Sequence, residues 1–123
     1  PGYSGVQVAV VAPDGIDEEI PAAPASVLYR VAQEGLRNAL RHAAASRIEI
    51  RIWTEGDNAR LEVTDDGRGF DPGAAQASHG GIGLFTMRER VALIDGELQV
   101  ESKARGGTSV LATVPLRATT GIL

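Results

Sequence analysis

Between Ile48 and Thr64 the chain alternates in a way that few folds accommodate. Ile48, Ile50 and Ile52 alternate with Glu49, Arg51 and Trp53; Gly56-Asp57-Asn58 follows; Leu61 and Val63 then alternate with Arg60, Glu62 and Thr64. Successive side chains of a strand point to opposite faces. The pattern therefore predicts an antiparallel hairpin with one apolar and one wet face.

The helices that flank this hairpin in sequence match its apolar face. From about Ala25 to His42 the period is helical, with Leu28, Ala32, Leu36, Ala39 and Leu40 on one arc and Arg30, Arg37 and Arg41 opposite. Pro21 and Pro24 argue against an earlier start, so Pro13 to Ala25 is expected to be a linker. Gly35 inside the helix costs roughly 1 kcal/mol relative to alanine, and a close neighbour on that face is one reason to keep it. Leu84, Met87, Val91 and Ile94 predict a second helix, stopped at Asp95-Gly96. Gln7 to Ala12, the region of Leu98 and Val100, and Thr108 to Val114 read as strands, the last ended by Pro115. The fold class expected is α/β, with a mixed, largely antiparallel sheet and helices on one face.

At 123 residues the chain is expected to be one domain, 1–123, with its core at about 25–116 and a loose tail at 117–123. It has no cysteine, which removes disulfides, thiolate chemistry and cysteine-ligated zinc. The net charge of -4 comes without a basic block, so nucleic acid is not an expected partner. No stretch approaches the 18 or so apolar residues a membrane helix needs. The start at Pro1-Gly2, without an initiator methionine, reads as a segment of a longer protein.

Four short segments carry candidate chemistry. Glu34 and Asn38 stand one helical turn apart. The amide oxygen of Asn38 suits a hard cation such as Mg²⁺. Glu34 can add negative charge, orient a water or act as a base. Asp65 leaves a strand into Asp66-Gly67-Arg68-Gly69-Phe70; its carboxylate can accept a hydrogen bond from an exocyclic amine, and Gly67 and Gly69 permit close approach. Asp66 is expected to point to solvent. Gly80, Gly81 and Gly83 come just before the helix that begins at Leu84, where free N–H groups suit phosphate. Residues 71–82 are expected to be a mobile lid. Thr108 follows Gly106-Gly107, its hydroxyl within reach of Asp65 or of a bridging water. Against each stands an ordinary reading: a solvated helix carboxylate, an Asp-Gly turn, a surface loop, a strand threonine. His42 is a candidate helix cap, His79 borders the lid, and Trp53 is assigned to packing.

Taken together these segments resemble the ordered boxes of the GHKL superfamily of gyrase, heat-shock chaperone, histidine kinase and mismatch-repair ATPases. Residues 31–43 resemble its N box, Asp65 to Phe70 its adenine-binding glycine box, Gly81-Ile82-Gly83-Leu84 the box at the end of the ATP lid, and Gly106-Gly107-Thr108 its final box. Met87-Arg88-Glu89-Arg90-Val91 followed by Asp95-Gly96-Glu97-Leu98 is similar to the sensor histidine kinases related to the nitrate/nitrite sensors.

The resemblance implies an α/β sandwich that binds Mg²⁺ and ATP. It implies Asn38 as the metal ligand and Asp65 on the adenine amine, with Thr108 supporting the adjacent water. Gly67 and Gly69 make room for the base, and Gly81, Gly83 and Leu84 shape the lid end by the phosphates. Glu34 corresponds to the water-activating carboxylate of the ATPase relatives. The lid is short, and Thr86 stands where many relatives have glycine. The implied activity is protein-histidine kinase, a transferase in a two-component phosphorelay, acting on a histidine of a separate dimerisation domain and upstream of a response regulator. Neither His42 nor His79 matches that acceptor, so these residues are expected to be cytoplasmic, monomeric and silent in autophosphorylation on their own. The alternatives are an anti-sigma-factor serine kinase, or a nucleotide-binding domain without turnover.

Overall fold

The computed structural model describes residues 5–42, 45–67, 79–103 and 106–117, with the side chains of 42, 79–82 and 103 excepted. Strand β1 (Gln7–Val11) is followed by the short helix α1 (Ile16–Glu19) and the long helix α2 (Ala22–His42). The hairpin β2 (Arg47–Glu55) and β3 (Asn58–Asp65) comes next, then α3 (His79–Ala92), β4 (Glu97–Lys103) and β5 (Gly107–Pro115). The five strands form one sheet in the order β1-β2-β3-β5-β4, antiparallel except for the parallel pair β1 and β2. This is the mixed, largely antiparallel α/β sandwich expected.

The predicted hairpin is present in full. Glu55 pairs with Asn58 across a two-residue turn, in which Gly56 takes φ 61°. That register puts Ile48, Leu61 and Val63 on one face, where they join Leu98, Val110, Ala112 and Val114 in the core. The opposite face holds Glu49, Arg51, Trp53, Arg60 and Glu62. Trp53 donates its indole N–H to Glu55 at 3.3 Å and lies under the Arg51 guanidinium at 5.5 Å, so it packs within its own strand.

The helices depart from their expected bounds for identifiable reasons. The linker contains α1, held to β2 by the Thr54 hydroxyl, which donates to Glu19 at 3.0 Å. Helix α2 starts at Ala22, with Ala25 N–H donating to the Pro21 carbonyl at 3.0 Å. Pro24 lies in the first turn, where an N–H has no intrahelical acceptor to lose. The buried stripe of α2 runs through Leu28, Val31, Gly35 and Ala39, while Ala32, Leu36 and Leu40 flank it half-buried. The apolar arc is therefore centred one residue earlier than its hydrophobicity suggests. Gly35 is the cause: a Cβ there would stand 3.0 Å from Val63 Cγ2 and 3.1 Å from its Cβ, so the helix rests its bare backbone on the sheet.

Helix α3 begins at His79, so the glycines expected to precede it lie in its first two turns. Glycine is a poor helix former, and here packing overrides propensity. A Cβ on Gly83 would collide with Glu34 Oε2 and stand 2.8 Å from its Cδ. The helix ends where Asp95 takes φ 61° and Gly96 N–H reaches back to the Val91 carbonyl at 2.9 Å. Met87 and Val91 are its buried residues, with Leu84 and Ile94 packed beside them. No helix of the described residues is long and apolar enough to cross a membrane.

Candidate functional site

One end of the sandwich gathers the residues singled out above. Helix α2 runs towards the start of β2, where Ile48 pairs with Asp65, so its Glu34–Asn38 half lies at the Asp65 end of the sheet. Thr108 at the start of β5 pairs with Asp65, and Ser102 near the end of β4 pairs with Thr108. The N-terminal part of α3 meets Glu34 at Gly83.

Asp65 is half-buried at the end of β3. Its Oδ1 accepts the Gly67 N–H at 2.8 Å, and the backbone amide of Thr108 also serves the carboxylate. Loss of hydration raises its pKa above the usual aspartate value, and the neighbouring Asp66 charge adds to the rise; the two amides oppose it. Gly107, with φ 83°, lets β5 begin this close: a Cβ there would collide with the Asp65 carbonyl oxygen. The result is a partly desolvated acceptor whose orientation is set by backbone donors from both sides.

Asp66, expected to point to solvent, is exposed but fully engaged. It accepts Ser46 N–H at 2.9 Å, the Ser46 hydroxyl at 2.7 Å and Arg47 N–H at 2.9 Å. Its own N–H donates to the Arg47 carbonyl at 3.2 Å. These bonds, the Ser46 hydroxyl first, hold its pKa below the usual value. The two adjacent aspartates thus divide the work: Asp66 ties the turn to the start of β2, and Asp65 is left facing the site. Nothing in the residue order around Ser46 announced this, because the partners are 20 positions apart.

Of the two partners expected for the Thr108 hydroxyl, Asp65 or a bridging water, Asp65 is not bonded to it; the hydroxyl lies 2.8 Å from Ser102 Oγ. Ser102 also donates to the Gly107 carbonyl at 3.3 Å. Ser102 escaped the sequence reading, although its signal was available: in a hairpin turned by residues 103–107, position 102 falls opposite 108.

Glu34 and Asn38 are both half-buried on α2, one turn apart. The Glu34 carboxylate packs against Gly83, which joins the α2 pair to α3. Leu84 is half-buried against the core. Gly81 lies within α3, whereas Gly69 and residues 71–78 of the expected lid lie outside the described residues, as do the side chains of His42 and His79.

The profile of the family described as "Histidine kinase-, DNA gyrase B-, and HSP90-like ATPase" matches residues 24–118. Over 117 residues, 94% of the chain, the sequence is 37% identical to the "Sensor histidine kinase MctS" of Rhizobium johnstonii, of which it covers 25%. It is 31% identical over 102 residues, 83% of the chain, to the "Signal transduction histidine-protein kinase/phosphatase DegS" of Brevibacillus brevis, of which it covers 26%. The chain therefore spans about a quarter of the length of these curated relatives. Among solved structures, the blue-light activated histidine kinase of Erythrobacter litoralis EL346 superposes with a TM-score of 0.77 at 28% identity, over 98% of this chain and 38% of that one. The Acinetobacter baumannii histidine kinase AdeS shares the fold at 14% identity and a TM-score of 0.69, over 93% of this chain and 56% of that one.

Proposed function

The chain belongs to the histidine kinase-, DNA gyrase B- and HSP90-like ATPases, and from that premise we propose that it is the ATP-binding catalytic domain of a two-component sensor histidine kinase. The observation that carries the reading is Asp65: a half-buried carboxylate, aligned by the Gly67 and Thr108 amides, at the end of the sheet towards which the Glu34–Asn38 half of α2 points. Both curated relatives named above are histidine kinases by description. Within the family the chain is assigned to the branch related to the nitrate/nitrite sensors on the sequence resemblance of Met87–Val91 and Asp95–Leu98 alone. Met87 and Val91 are the buried members of that signature, and Arg88 Nη1 donates to the Leu98 carbonyl at 3.2 Å, so its two halves touch.

The residues present fit Mg·ATP. Among the described residues no group of three or more His, Asp or Glu forms a metal cage. Mg²⁺ keeps several waters and takes most remaining ligands from phosphate, so a single oxygen donor from the chain suits it. Asn38 would hold the ion through its amide oxygen, with Glu34 adding negative charge one turn away. When bound, Mg²⁺ neutralises charge on the phosphates. Asp65 would accept a hydrogen bond from the adenine amine and Thr108 would support the adjoining water, while Gly67 and Gly69 are assigned to making room for the base. Gly81, Gly83 and Leu84 form the α3 side of the phosphate region. The chain's contribution would be placement: gripping the base at Asp65 would hold the γ-phosphate for a histidine presented by a separate dimerisation domain, and from there for a response regulator. Because that acceptor is a side chain and not water, Glu34 is assigned an electrostatic role next to Asn38.

Titration calorimetry with a non-hydrolysable ATP analogue tests the reading. Binding is expected with Mg²⁺ and weaker without it. A folded chain that binds no analogue at millimolar concentration would refute it.

A further inference from the structure

Asp65 is the last residue of β3, where pairing with Ile48 and Thr108 fixes its backbone. Its carboxylate is aligned by other means. Oδ1 accepts the N–H of Gly67, two residues on, so its orientation depends on how the 65–67 turn is held. The centre of that turn is Asp66. Its N–H donates to the Arg47 carbonyl at 3.2 Å, and its carboxylate accepts Ser46 N–H at 2.9 Å, Arg47 N–H at 2.9 Å and the Ser46 hydroxyl at 2.7 Å. On the β5 side, a Cβ at Gly107 would stand 3.4 Å from Asp66 Cα, so that strand closes against the same turn. The turn is thus pinned to the start of β2 and bounded by β5. The Ser46 hydroxyl first, then the Arg47 and Ser46 amides, hold the Asp66 pKa below its usual value, so the clamp is made by an ionised carboxylate.

We propose that Asp66 and Ser46 are positioning residues of the nucleotide site: by fixing the 65–67 turn they hold the Gly67 N–H on Asp65 and so preset the carboxylate that receives the adenine amine. This rests on the nucleotide reading above. A carboxylate already aligned in the free chain has little orientation to lose when the base arrives. One released from Gly67 has to be ordered on binding, together with the turn, and that ordering weakens the complex. The role requires neither Asp66 nor Ser46 to touch the nucleotide. For Asp66 the charge acts in the opposite direction: removing a negative charge by itself favours an anionic ligand. A loss of affinity on its removal therefore reports the turn and not the field.

The test combines calorimetry with Mg²⁺ and ADP with amide NMR of the free chain, on the wild type and on Asp66→Ala, Ser46→Ala and Ser46→Thr. Asp66→Ala should weaken ADP binding about three- to tenfold, and Ser46→Ala, which leaves the charge unchanged, about threefold. Ser46→Thr keeps the hydroxyl at an exposed position and should bind within about 1.5-fold of wild type. In both weakened variants the Gly67 amide proton should move upfield and exchange faster, because it has left the carboxylate, while the Val63 amide inside β3 stays in place. Ser46→Ala carries the same test if Asp66→Ala does not fold. Unchanged ADP affinity in the folded variants, the result a purely stabilising clamp would give, overturns the proposal and leaves the nucleotide reading intact. Affinity lost with the Gly67 amide unmoved does the same. A folded wild type that binds no ADP overturns the nucleotide reading, and this inference with it.

Discussion

Replacing Gly35 with alanine tests how the central helix is seated. In isolation the change favours the helix by about 1 kcal/mol. In the structure the new Cβ would meet Val63 at 3.0 Å from Cγ2, 3.1 Å from Cβ and 3.2 Å from Cγ1. Val63 is 3% exposed, lies in β3 between β2 and β5, and is β-branched, so its side chain cannot swing away. Overpacking of this kind costs about 1–3 kcal/mol. The two effects leave Gly35→Ala destabilised by about 1 kcal/mol net. Val63→Ala alone removes two buried methyl groups and should cost about 2 kcal/mol. In the double variant the alanine at 35 grows into the space left at 63. The pair should therefore be more stable than the sum of the singles by about 1 kcal/mol or more. Urea unfolding of the four proteins, with m-values checked for constancy, measures the cycle. A Gly35→Ala chain more stable than wild type, or effects that add to within about 0.5 kcal/mol, would show that the helix does not rest on Val63 as described.

Asp65→Asn should weaken ADP binding by roughly 1.5–3 kcal/mol, because a charged acceptor becomes neutral; calorimetry that finds no loss would remove Asp65 from the site. Burial raises the Asp65 pKa, so the carboxylate is lost on acidification at a higher pH than an ordinary aspartate, and ADP affinity should fall there. The same raised pKa works the other way on the free chain: its contribution to stability is fully present below the unfolded pKa and is lost as pH rises through the folded one. Asp66 has a lowered pKa, so its contribution is present above the unfolded pKa and lost as pH falls through the folded one. Asp66→Ala should accordingly lower the melting temperature near neutrality and flatten its acid dependence, and unchanged melting curves would contradict the clamp on Ser46 and Arg47. Incubated with radiolabelled ATP, residues 1–123 should take up no acid-labile label by themselves, while an added dimerisation domain bearing the acceptor histidine should; stoichiometric label on His42 or His79 would reverse that expectation.

The hairpin and the buried faces of the strands were legible because they depend on period alone: a pattern of two at 48–64 admits one face in and one face out. Asn38, Asp65 and Thr108 were nameable as candidates because the segments that hold them resemble, in order, the boxes of a known family. Helix boundaries were less accessible. Pro24 does not mark the start of α2, because a proline in a first turn loses no intrahelical bond; Gly83 within a helix runs against local preference, and the packing of α3 on α2, with Glu34 lodged against Gly83, overrides it. The centring of α2 on Val31 and Gly35 likewise follows from how closely a bare backbone approaches Val63. Hydrogen bonds lay furthest from view. That Asp66 holds Ser46, that the Thr108 hydroxyl goes to Ser102, and that Asp65 remains as the half-buried acceptor depend on strand pairing between distant residues. Sequence alone determined which side chains the site has to work with; only the tertiary structure decided which of them are occupied with each other, because hydrogen bonding and desolvation are properties of neighbours in space.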